Sequence, residues 1–207
     1  MCQVQFNILD EHRQAGIEGI KYAASRGIPV VIMEPLRGGS LANVSGGIKA
    51  IWDKAGIKRS HIEWAFRWIC NHPEVMVVLS GVSTMEQLKD NIRIFENALP
   101  NSMSEQELAI VREVQRHYRS RLKVGCTGCR YCMPCPAGVD IPGIFGRYDD
   151  AMLFDTLEDH RINYKRSIAG KGKDPSHCAE CGHCESVCPQ HISIIEKLKE
   201  ADGVLGV

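Results

Sequence analysis

The placement of the cysteines constrains this chain more than any other feature. The sequence has 207 residues and 10 cysteines. Cys2 and Cys70 stand alone, and the other eight crowd into residues 126–188. They form two runs. The first is CTGCRYCMPCP, with Cys126, Cys129, Cys132 and Cys135 before Pro136. The second is CAECGHCESVCP, with Cys178, Cys181, Cys184 and Cys188 before Pro189. The two runs are one approximate internal duplication. A 4Fe–4S cube needs thiolates from several directions, and a tight loop with a cysteine at every third residue supplies three of them. The fourth must come from elsewhere.

The second run resembles the bacterial ferredoxin run, three cysteines two residues apart and a fourth three further on before Pro. In two-cluster ferredoxins the fourth ligand comes from the other run, and the Pro turns the chain away. That resemblance implies one cluster on Cys126, Cys129, Cys132 and Cys188, and a second on Cys178, Cys181, Cys184 and Cys135. The first run departs from the pattern, with two residues rather than three before its last cysteine. Gly128, Ala179 and Gly182 are small enough to let backbone N–H groups approach the sulfurs. Two alternatives compete. Structural zinc would make this a zinc-stabilised interaction module, but zinc uses two paired CxxC knuckles, and two triple runs fit that poorly. Disulfides suit a secreted chain, and no leader opens this one. Cys70 lies in a Trp-rich helical stretch and reads as a buried small hydrophobe, and Cys2 as incidental.

Charge narrows the partners. Lys+Arg and Asp+Glu both number 25, whereas nucleic-acid binding needs a basic excess. No apolar run approaches the ~20 residues of a membrane span, and a cytoplasmic setting is expected. A hydrophobic share of 44% is ample for a packed core.

Residues 1–122 alternate strands and helices. Cys2–Phe6, Pro29–Met33 and Val75–Leu79 read as strands, the last two as runs buried on both faces. An apolar face of Ile17, Ile20, Tyr22 and Ala24 predicts a helix over Glu11–Arg26, ended by Gly27. Capping boxes at Ser60/Glu63, Ser83/Glu86 and Ser104/Glu107 predict helices to Ile69, Ile94 and about Arg119. Strands alternating with helices imply βαβ units and a parallel sheet. Residues 123–207 lose this rhythm. Helices are expected at Ile141–Tyr148, Ala151–Ile168 and Ile192–Ala201, with a loop at Gly170–Pro175. The helical spacer between the runs resembles α-helical ferredoxin domains of electron-relay subunits.

The first half, through CQVQFNILD, GIPVVIMEPLRGGSL and EWAFRWICNHPEVMVVLSGVSTMEQLKDNI, resembles the last three βα units of an aldo–keto reductase. With the cysteine runs, the chain resembles the C-terminal part of those members that carry a ferredoxin-type domain. The fold implied is α/β: a partial TIM barrel of about three βα units over 1–122, then an α-helical ferredoxin-like iron–sulfur domain over 123–207. The resemblance also implies NAD(P)H contacts. Gln3 would meet the nicotinamide carboxamide, and Met33 stands where relatives place an aromatic ring. Glu34, Pro35, Leu36, Arg37 and Gly38 would pass over the pyrophosphate. Gly81, Val82, Ser83 and Thr84 match the turn after the last strand, and Gln87, Asp90 and Asn91 the adenosine end. A Gly/Ser turn opening a helix offers free N–H groups to phosphate.

The family's catalytic Asp, Tyr, Lys and His lie on earlier strands that this chain does not contain, so no catalytic residue is assigned. A whole barrel takes roughly 250 residues. The expected function is electron transfer through two 4Fe–4S clusters, with a donor or acceptor protein, or a missing N-terminal barrel half, as partner. The alternative is an NAD(P)H-dependent carbonyl reductase completed by a missing segment or partner chain. Arg112, Arg116, Arg119, Arg121 and Lys123 form a basic stripe before Cys126, read as a solvated helix face. The strand edges at Cys2–Phe6 and Val75–Leu79 are expected to be exposed.

Overall fold

The computed structural model describes all residues, Met1–Val207, as two compact units, Met1–Arg119 and Ser120–Val207. The first carries the sheet. Strands β1 (Cys2–Gln5), β2 (Val30–Met33) and β3 (Val75–Val78) run parallel in the order β1-β2-β3. Cys2 pairs with Val30 and Gln5 with Met33, and the register against β3 shifts between Val30 and Val31. In the central strand Val30 and Ile32 are fully buried, as a strand covered on both faces requires. β3 departs from the sequence expectation. It lies at the sheet edge, as its sequence predicts, but its faces are not both covered: Met76, Val77 and Leu79 stand exposed.

Helix α1 (Gly16–Ser25) starts later than the predicted Glu11. Gly16 sits at φ +51, and a Cβ there would meet the Glu11 carbonyl oxygen at 2.7 Å. The Ile17 N–H donates to that same oxygen at 2.9 Å, so residues 11–15 close a turn instead of a helical one. Its buried face is Ile17, Ile20 and Ala23, while Tyr22, expected on that face, is exposed. Helix α2 (Gly46–Asp53) has no counterpart in the sequence reading, because its two leading glycines hide a short apolar face of Ile48, Ile51 and Trp52.

Trp52 stacks at 5.0 Å on Trp64 of α3 (His61–Cys70), and Phe6 stacks at 4.9 Å on Trp68. The hydroxyl of Ser60 accepts from the Glu63 N–H at 3.1 Å, as its sequence predicts. Helix α4 (Met85–Phe95) is capped one residue later than predicted: Thr84 and Gln87, not Ser83 and Glu86, form its box. Helix α5 (Glu105–Arg121) opens on the expected reciprocal pair of Ser104 and Glu107, at 2.7 and 3.3 Å. Glu63, nearly buried, binds Arg67 at 2.9 Å and Arg93 at 3.0 Å and so ties α3 to α4.

The second unit consists of helices and turns. Helix α6 (Ile141–Phe154) runs past the predicted Tyr148 and ends at Asp155, whose left-handed φ of +56 breaks the chain before α7 (Leu157–Ser167). The predicted Ala151–Ile168 helix is therefore split between the two. Part of the expected loop is a 3-10 turn, Ala169–Lys171. The short α8 (His183–Ser186) lies within the second cysteine run, and α9 (Ile194–Leu205) closes the chain. Ile144, Phe145, Tyr148, Tyr164, Leu198 and Ala201 fill the core, and six of the run cysteines pack against it or within it on one side. The Tyr148 hydroxyl donates to Glu200 at 2.7 Å, and the Tyr164 hydroxyl donates to Asp202. No helix is long and apolar enough to cross a membrane.

Candidate metal centres

The duplication seen in the cysteine spacing extends to the backbone. Gly128 and Arg130 take left-handed φ values of +68 and +65, two and four residues after Cys126. Glu180 and Gly182 do the same, at +50 and +74, two and four residues after Cys178. The glycine has changed places, but the conformation has not. Alternation of right- and left-handed residues turns successive N–H groups toward one concave side, which suits an anionic guest. The Met133 N–H donates to the Arg130 carbonyl at 2.9 Å, and the Glu185 N–H donates to that of Gly182 at 3.2 Å.

Both Cys-Pro turns match as well. Gly138 (φ +79) donates to the Cys135 carbonyl at 2.9 Å, and His191 (φ +51) donates to that of Cys188 at 3.1 Å. Each turn then leads through one apolar residue, Val139 or Ile192, and a polar one, Asp140 or Ser193, into α6 or α9. The one-residue difference between the runs falls between their last two cysteines, where the second run forms α8 and the first passes through the cis Met133–Pro134 peptide.

This geometry sorts the cysteines across the two runs. Cys126, Cys129, Cys132 and Cys188 line one hollow, with Ile141, Phe145, Ile192 and Ile194 as apolar walls. Cys135, Cys178, Cys181 and Cys184 line a second, with Val139, Ile141, Ile195 and Leu198. Cys132 and Ile141 border both. Each hollow encloses about 20 Å³. They are near-equal, as two copies of one guest require. Each opens to solvent at the second cysteine of its run, Cys129 or Cys181. The side chains ring a space instead of closing on a point: no three His, Cys, Asp or Glu side chains converge as a lone ion would need.

Burial pushes the thiols of Cys126 and Cys132 up. Burial, and then the neighbouring Glu185 carboxylate, push that of Cys184 up to about 11. At neutral pH such groups are thiols, and a bound cationic metal is what turns them into thiolate ligands. The Gly128 N–H donates to Cys126 Sγ at 3.5 Å, the kind of contact that stabilises a ligated sulfur. The donor set and its apolar walls fit an iron–sulfur cluster in each hollow. The lone cysteines lie apart from these hollows. Cys70 is half-buried, and burial raises its thiol to about 11.

A separate cleft of about 570 Å³ opens in the first unit, past the C-terminal ends of β2 and β3. Met33, Glu34, Leu36, Gly38, Gly81, Gln87 and Asn91 line it, as do Pro35, Val82 and Asp90. Gln3, Arg37, Ser83 and Thr84 do not reach its wall. Gln3 instead donates to Met33 Sδ at 3.2 Å, and Arg37 lies 3.9 Å from Asp10. The N–H groups of Ser83 and Thr84, expected to face phosphate, both donate to Gln87 Oε1, at 3.0 and 3.3 Å. A phosphate there would have to displace the Gln87 side chain. Ile62, Phe66, Leu79 and Ser80 also form the wall and escaped the sequence reading, although Ile62 and Phe66 stand one helical turn apart on α3.

The basic stripe is partly neutralised. Arg112 lies 3.4 Å from Glu105, and Arg121 pairs with Asp155 and donates to the Met152 carbonyl at 2.7 Å. Glu113 is taken by Lys54 at 2.6 Å.

Comparison with known families gives two matches. The aldo/keto reductase family model matches residues 1–114, and a 4Fe-4S dicluster domain model matches residues 125–193. Neither the curated proteins nor the solved structures compared with the chain give a match.

Proposed function

We infer that this chain, which belongs to the aldo/keto reductase family and contains a 4Fe-4S dicluster domain, is an iron–sulfur oxidoreductase that passes electrons through two clusters. One cluster is held by Cys126, Cys129, Cys132 and Cys188, the other by Cys135, Cys178, Cys181 and Cys184. The observation that carries this reading is the grouping of eight thiols about two hollows, with Cys132 bordering both, across two loops of the same backbone conformation. Bound clusters supply one-electron redox chemistry. The chain's own residues orient the thiols, exclude water with Ile141, Phe145, Ile192 and Leu198, and keep the centres adjacent through the shared wall of Cys132 and Ile141. The partner is an electron donor or acceptor protein, or the segment that completes the barrel. Iron and sulfide counting with EPR of the reduced protein tests this. About eight irons are expected, and about two zinc ions with no iron would sink it.

The cleft beyond β2 and β3 supports a second reading, an NAD(P)H-dependent carbonyl reductase completed by a further segment or chain. Phosphate sites after the last two strands are common in such barrels. NADPH fluorescence titration is the test. Binding that weakens on Asn91→Ala is expected. Emission that does not change with protein, in the presence of the completing segment, would refute it.

A further inference from the structure

Asp149, on α6, is a carboxylate only 5 % exposed. Three consecutive main-chain N–H groups donate to it: Lys123 and Val124 to Oδ1 at 3.0 and 2.8 Å, and Gly125 to Oδ2 at 3.0 Å. Gly125, at φ +73, directly precedes Cys126. A buried carboxylate is tolerated when its lone pairs are met. Here the groups that meet them are neutral N–H groups and not cations. Lys197, the cation that Asp149 influences, pairs directly with Glu200 at 2.5 Å. The second hollow has its own carboxylate in Glu185, but that half-buried group accepts one N–H, from Ile195 at 2.8 Å, at the start of α9.

The geometry points to Asp149 as the positioning residue of the first centre. It pins residues 123–125 so that Cys126 faces its hollow, and its charge lowers the reduction potential of the centre held by Cys126, Cys129, Cys132 and Cys188 more than that of the other, which lies farther from it. The reason is electrostatic. Reduction adds an electron, and a fixed anion in a medium of low dielectric disfavours the more negative state. The inference rests on reading the hollows as iron–sulfur centres.

The test uses the full chain, loaded anaerobically with ferrous iron and sulfide. Asp149→Asn keeps the size and one acceptor but removes the charge. Iron counting, an EPR-monitored redox titration and amide exchange at Lys123–Gly125 are compared with wild type. The expected result is an unchanged iron count, one midpoint moved positive by more than the other, and faster exchange at 123–125. Asp149→Glu, which keeps the charge, holds the wild-type midpoint. Normal loading with both midpoints unmoved, or both moved equally, overturns the inference. Iron lost in the Asn variant but regained in the Glu variant supports a need for the carboxylate. Iron lost in both makes Asp149 a packing element and overturns it. A wild-type chain that takes up no iron fails the underlying reading, and the inference falls with it.

Discussion

Paired cysteine removal separates crosswise ligation from ligation run by run. In the crosswise arrangement Cys129 and Cys188 share a hollow, while Cys135 belongs to the other. The double variant Cys129→Ala/Cys188→Ala then strips two ligands from one centre and leaves the other complete, so about four irons remain of about eight. Cys129→Ala/Cys135→Ala takes one ligand from each centre, and both are compromised, with iron falling toward none. If each run instead served its own cluster, the two outcomes would be exchanged. Cys129 is common to both doubles, and Cys135 and Cys188 are alike half-buried, so the difference between the doubles reports ligation and not packing. Iron and sulfide counting after anaerobic reconstitution, with circular dichroism to confirm retained helix, is the assay. Four irons in the 129/135 variant with none in the 129/188 variant would refute the crosswise assignment.

Three other outcomes follow from the packing. Glu63→Ala removes the buried carboxylate that Arg67 and Arg93 share and should lower the denaturant midpoint; an unchanged midpoint would show the network to be idle. For Glu107, burial alone would raise the carboxyl, but the Ser104 N–H and hydroxyl and the Arg59 guanidinium together hold it below its ordinary value. A depressed folded value means stability that is present above the unfolded value and lost as pH falls through the folded one. Denaturant midpoints from pH 7 to pH 3 should therefore drop more in wild type than in Glu107→Gln. On the outer side of β3 and α4, Met76, Leu79, Leu88 and Ile92 are exposed, and Leu88→Lys with Ile92→Lys should reduce self-association in light scattering; unchanged association would place the sticky surface elsewhere.

The strands were legible because each is a short apolar, β-branched run between helical patterns, a local signal. What the sequence hid was context. β3 has the composition of a strand covered on both faces, yet Met76, Val77 and Leu79 are exposed, because what covers the faces of an edge strand is a neighbour that its own residues do not encode. The start of α1 was misplaced because Gly16 closes a turn onto the Glu11 carbonyl, a backbone event with no periodicity. At α4, Ser83/Glu86 and Thr84/Gln87 are both sound capping boxes one residue apart. The structure takes the one whose Gln87 side chain accepts from both Ser83 and Thr84. That choice occupies N–H groups which the sequence alone left free for phosphate.

The cysteine centres show the same division. Spacing exposed the eight thiols and the departure in the first run, since both are local. It did not show how deep the duplication goes. The left-handed positions fall on Gly128 and Arg130 in one loop and on Glu180 and Gly182 in the other, so residue identity conceals a shared conformation that only φ reveals. Arg130 and Glu180 hold a conformation that glycine takes at lower cost. Two loops that keep it at matched positions, with different side chains, are shaped by a common requirement. In the first loop the Gly128 N–H donates to Cys126 Sγ. Asp149 was hidden for the opposite reason. It lies outside both runs, 24 residues from Gly125, and becomes part of the first centre only because α6 folds back to bring it under residues 123–125. The ligands of such a centre are written in spacing, while the groups that set its charge arrive through the fold.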